Sequence, residues 1–114
     1  MDINEIIHIY DRFIEILEEF SMPPHEQIKK LQGTVVADEL ATDFSDIGFT
    51  YAEILKENQW INQEQFNIME VINNMLDEMS KDSNLWDEKA LIYSKEWKDC
   101  RQNGKRLLDT LISS

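Results

Sequence analysis

The sequence predicts an all-α domain, an antiparallel four-helix bundle with one short extra helix between the first and second long helices. Three observations carry that expectation. Four stretches of the 114-residue chain repeat apolar residues in steps of three and four, the spacing that keeps one helix face on a core. Three Gly and two Pro leave little turn chemistry, and no β-branched run alternates as a strand would. The connections between the stretches are short, which favours antiparallel neighbours. Residues 1–114 therefore make one helical domain, with a radius of gyration of about 13 Å.

The first helix follows from Ile3, Ile6, Tyr10, Phe13, Leu17 and Phe20, with Ile7 and Ile14 beside that seam. Asp2 is placed to cap it, Glu5 stands three residues on, and Pro23-Pro24 ends it. The short helix lies within 25–32, offering Ile28 and Leu31 before Gly33 stops it. The second long helix runs from about Thr34 to Asn58 on Val36, Leu40, Phe44, Ile47, Tyr51, Ile54 and Leu55. Its seam passes Gly48 in phase, so one helix is expected there; the alternative is a break with Thr50 and Glu53 as a new capping box. The third starts at Asn62, with Gln65 completing a box and Ile61 stapling onto Phe66. Its arc of Ile68, Met69, Ile72, Met75, Leu76 and Met79 is broad, predicting the most buried helix. The fourth carries Trp86, Ala90, Tyr93, Trp97, Cys100, Gly104, Leu107 and Leu111, a heptad seam that buries both Trp86 and Trp97. Trp60 should be more exposed, Gly104 should permit close helix approach, and a break at Ser94 is the alternative to one continuous helix.

Composition excludes several classes of function. A formal charge of −12 repels nucleic acid, and five cations clustered in the last helix are a small footprint. A lone Cys100 rules out a disulfide framework and a thiolate-rich zinc site. No apolar run nears the roughly 20 residues that span a bilayer, and Asp2 and Glu5 do not suit a signal peptide, so the expected location is cytoplasmic. Glu5-Ile-Ile-His8 has the Glu-x-x-His spacing of di-iron bundles, but stands alone and faces away from the seam. His25 reads as a loop histidine and Cys100 as inert packing. No cofactor or metal is expected.

The acidic residues say more. Between Leu31 and Ser80 stand ten Asp or Glu and one cation, Lys56. On one regular helix Glu39, Asp43, Asp46, Glu53 and Glu57 share an arc about 80° wide, with Phe49 near its edge as a candidate apolar anchor. Contact with the 25–32 helix is the alternative role for Phe49. Like charges at i,i+4 cost a helix a few tenths of a kcal/mol per pair, a cost that a basic partner, an internal cationic face or a metal would offset. Lys98, Arg101 and Lys105 offer the internal face.

Two resemblances bear on that choice. Glu18-Glu19 and Asp43-x-x-Asp46 resemble the Glu-Glu-x-x-Glu and Glu-x-x-Asp motifs of all-helical nucleotide pyrophosphohydrolases, which implies a magnesium-dependent hydrolase. Here Met22 stands where the third Glu belongs, and Asp43 replaces a Glu. The stretch from Ala37 to Asp46, with Leu85-Trp86, Ala90-Leu91, Glu96-Trp97 and Arg101, resembles small acidic all-helical bacterial proteins, some of them immunity proteins. That likeness spans about residues 34–112. It implies an inhibitor that docks Glu39, Asp43, Asp46, Phe49, Glu53 and Glu57 on a basic protein such as a toxin. A third expectation is a self-associating adaptor, a homodimer sharing the Trp86/Trp97 seam.

Overall fold

The computed structural model describes residues 1–112. Helix α1 (Ile3–Ser21) begins where Asp2 accepts the Glu5 backbone N–H at 2.9 Å. It turns Ile6, Phe13, Ile16, Leu17 and Phe20 into the core. Ile3, expected on that seam, is 60% exposed, and Ile16 takes part instead. After the two prolines, α2 (Pro24–Lys30) packs through Gln27 as well as Ile28 and Leu31. The buried Gln27 Nε2 donates to the carbonyls of Glu19 and Phe20, both at 3.0 Å, and so closes the open end of α1. Gly33 then turns the chain with φ of 88°, a value that favours glycine.

The next helix continues through Gly48 but is not regular. It comprises α3 (Val36–Thr42), a π-helical turn over Asp43–Gly48, and α4 (Phe49–Glu57). The Phe49 N–H reaches the carbonyl of Phe44, five residues back. A π turn holds one residue more than an α turn, so everything beyond it lags by about 100°. Burial follows that lag: Phe44, Gly48, Ala52 and Leu55 are buried, while Ile47, Tyr51 and Ile54, expected on the seam, are only half-buried. Gly48 fits because a Cβ there would stand 3.3 Å from Ile16 Cγ2.

Helix α4 ends without a glycine. Gln59 takes φ of 63°, the Trp60 N–H donates to Leu55 O at 2.8 Å, and the Gln59 N–H donates to Lys56 O at 3.1 Å, the paired bonds of a Schellman stop. The expected capping box opens α5 (Gln63–Met79): Asn62 Oδ1 accepts from Gln65 N–H and Gln65 Oε1 accepts from Asn62 N–H, both at 2.8 Å. This helix is not the most buried, contrary to expectation. Met69, Ile72, Leu76 and Met79 face inward, but Val71 is 46% exposed and Ile68 and Met75 are half-buried.

The last stretch is not one helix. A 3-10 turn (Ser83–Leu85) leads to α6 (Glu88–Tyr93), and α7 (Lys95–Ile112) starts anew. Ser94 is extended, and its Oγ accepts the Trp97 N–H at 3.2 Å. The break leaves Tyr93 78% exposed rather than on a seam. Trp86 lies outside both helices and is half-buried, its Nε1–H donating to Met79 O at 3.0 Å. Trp97 is fully buried, standing edge-on to Trp86 with ring centres 5.5 Å apart. Trp60 is 37% exposed against Tyr10.

Helix α1 packs on α7, α4 and the π turn; α5 packs on α7 and α4. The radius of gyration is 13.9 Å, and no strand occurs among the described residues. Among them, too, no helix is long and apolar enough to cross a membrane.

Candidate docking face around the C-terminal half of α5

The π turn divides the expected acidic arc. Glu39 and Asp43 precede the lag and are half-buried; Glu53 and Glu57 follow it and are exposed elsewhere, beside Lys56 and Phe66. Lys56 Nζ stands 4.7 Å from the Phe66 ring centre, placing a cation among those two carboxylates. Phe49 is half-buried, and its ring packs on Phe66 of α5 with ring centres 5.5 Å apart. Of the six residues singled out from the sequence, Asp46 lines a concave surface shared with a carboxylate of another element, Asp77.

That surface is a groove of about 410 Å³ between the π turn and α5, where Asp46 faces Asp77 across Ser45, Asn73 and Trp86. Ser45 Oγ–H donates to Asn73 Oδ1 at 3.0 Å, tying the two walls together. It runs on into a hollow of about 550 Å³ bounded by Asp38, Thr42, Ser80, Ser83 and Trp86. On the other side of α5 a larger groove, about 590 Å³, lies against α7 and the turn after α5. Val71, Met75, Met79 and Leu85 make its floor; Glu78, Asp82, Glu96 and Asp99 stand around it. Asn74 lines both sides. Among the described residues neither Lys nor Arg lines these hollows.

The surrounding ion pairs are local. Glu78 holds Lys81 at 3.0 Å and Asp99 holds Lys95 at 2.8 Å, and each partnership raises the lysine's pKa through a hydrogen bond to the carboxylate. Arg12–Glu15 and Lys30–Glu19 lie on the α1 side. None of these pairs involves Glu39, Asp43, Asp46, Glu53 or Glu57, so the cationic face of α7 does not neutralise the acidic helix through an ion pair among the described residues. Arg101 turns inward instead, its Nη1–H donating to Leu91 O at 2.8 Å and fastening α6 to α7.

Among the described residues no group of three or more His, Cys, Asp or Glu is placed to hold a metal ion. Glu5, His8 and His25 are all exposed. Cys100 is buried, and its Sγ–H donates to Met79 Sδ at 3.7 Å. Burial, reinforced by the Asp99 charge, pushes this thiol from 9.0 up to about 12. The thiolate is the reactive form, so a disulfide reagent at pH 8 should leave the native protein unlabelled and react fully once urea unfolds it. A thiol raised in the folded state binds its proton more tightly there, so its contribution to stability is complete below the unfolded value. That contribution falls as pH rises from 9.0 towards 12. Rapid labelling of the native protein would place Cys100 outside the core.

Comparison of the chain with protein-family models, curated proteins and solved structures finds no match.

Proposed function

We infer that this is a small acidic binding protein of immunity or inhibitor type, acting in the cytoplasm by docking on a basic protein such as a toxin. The observation that carries the reading is the face around α5, where three hollows are bounded by carboxylates from five separate stretches of chain and lined by no cation among the described residues. A net charge of −12 extends that field beyond the contact and would speed encounter with a cationic partner. In the same reading, the long helices form an antiparallel four-helix bundle that holds the three hollows rigid. The hydrolase alternative has no converging set of donors among the described residues in its favour, and the shared-seam homodimer would need Trp97, which its own chain encloses.

Basic products of the genes flanking its own, purified singly and titrated with this protein, supply the test. One of them should bind with submicromolar affinity. The triple variant Asp38→Asn, Asp46→Asn, Asp77→Asn should slow association about tenfold at low salt, flatten its salt dependence and leave the fold intact. Absence of binding by every basic product would overturn the reading. So would an association rate indifferent to both salt and the triple variant.

A further inference from the structure

The groove between α5 and α7 differs from its neighbour in having an apolar floor, and that difference specifies a ligand. Val71 is 46% exposed, Met75 and Leu85 are half-buried, and Met79 closes the bottom at 4% exposure. Val71 is the open part of this floor; Asn103 Nδ2 stands 3.9 Å from Met75 Sδ, and Cys100 Sγ lies 3.7 Å from Met79 Sδ beneath it. Methionine side chains are flexible and polarisable, suited to receiving apolar groups of varied shape. Around them Glu78, Asp82, Glu96 and Asp99 present charge of one sign, with Lys81 and Lys95 paired outside the lining and largely exposed. Such exposed pairs exchange readily for an incoming cation.

We propose that this groove seats the apolar face of a cationic amphipathic helix belonging to the basic partner, an assignment that rests on the binding reading above. Charge complementarity selects the occupant. An anionic lipid surface and a second copy of this chain, each negatively charged, are repelled by the same carboxylates. Length agrees: from Val71 to Met79 the floor follows α5 for about 12 Å, which matches apolar anchors at i, i+3 or i+4, and i+7 of a partner helix.

The experiment uses the intact protein and two labelled 14-residue peptides of identical Leu/Lys composition, followed by fluorescence anisotropy at low salt. One peptide places its leucines on a single helical face; the other is scrambled. The facial peptide should bind at least about tenfold more tightly than the scrambled one. Val71→Lys, at a half-exposed position, should remove most of that advantage, and Glu96→Gln, which leaves the floor untouched, should weaken the facial peptide several-fold. Thermal midpoints of both variants establish that they are folded. Equal binding of the two peptides, or a facial advantage that survives Val71→Lys, would overturn the groove assignment while leaving an acidic docking surface in place. Failure of both peptides to bind would overturn the acidic docking surface as well. Displacement of the peptide by self-association, seen in sedimentation at rising protein concentration, would assign the groove to a second copy and likewise overturn the proposal.

Discussion

Trp97→Ala is expected to cost about 3–5 kcal/mol, the largest loss available from one side chain in this protein. Three features of the site set that size. The indole is wholly enclosed; it stands edge-on to Trp86 and 6.2 Å from the Phe20 ring; and its Nε1–H donates to Leu85 O at 2.7 Å. It thereby joins α7 to α1 and to the turn before α6. Truncation removes apolar contact on both sides and leaves the Leu85 carbonyl without that donor. Domains of this kind hold only about 5–15 kcal/mol of net stability, so the variant should melt more than about 10 °C lower. Trp97→Phe isolates the polar part: most of the ring contact persists, and a loss of about 1–2 kcal/mol would reflect the missing hydrogen bond. Urea unfolding gives both numbers. A loss below about 1 kcal/mol for the alanine variant would remove Trp97 from the centre of the core.

Gly104→Leu should be nearly as damaging, by about 1–3 kcal/mol, because no space exists for its side chain. A Cβ at this position would collide with Ser21 Oγ and touch Phe20 Cδ2 at 3.4 Å. The close approach of α7 to the end of α1 depends on that bare Cα. Gly104→Ala sets two effects against each other: alanine gains about 1 kcal/mol in helix propensity, and its methyl displaces the Ser21 hydroxyl. That hydroxyl is buried and has no hydrogen-bond partner among the described residues, so Ser21→Ala alone should be close to neutral. The double variant Ser21→Ala, Gly104→Ala is therefore expected to be at least as stable as the native protein, while Gly104→Ala alone is less stable than the double. Thermal unfolding of the four-member cycle measures the coupling directly. Additive effects would show that the two residues do not touch.

These two sites illustrate what a linear reading can reach. Local chemistry was legible: Asp2 and Asn62 cap the helices they precede, Gly33 and the prolines stop theirs, and Gly104 marks a close approach. Trp97 lay on the expected seam, whereas Trp86 did not, because it precedes the Asp87 cap of α6 and so stands outside both helices. The π turn left no local signal. It arises where Phe44, packed on Phe20, and Gly48, set against Ile16 and Met69, must both face the core, a requirement set by other helices. The acidic arc assumed a regular helix across that point, which is why Asp46 joined Asp77 and parted from Glu53 and Glu57. Gln59 likewise ends α4 in a conformation usually left to glycine, forced by the bonds that Gln59 and Trp60 make to Lys56 and Leu55. The groove on α5 was hidden for another reason. Its carboxylates are spread from Glu78 to Asp99, on elements whose juxtaposition depends on the turn after Met79.

The π turn also bears on how the chain tolerates changes of length. A residue deleted from a regular helix swings all that follows by about 100°, exchanging inner for outer faces. Within Asp43–Gly48 the same deletion would only restore an ordinary α turn, and Ala52 and Leu55 would keep their direction towards the core. The helix thus carries a spare residue at that one point. Shorter descendants or ancestors of this sequence could differ there without rebuilding the interior, and the wall holding Asp46 is where such drift would be felt.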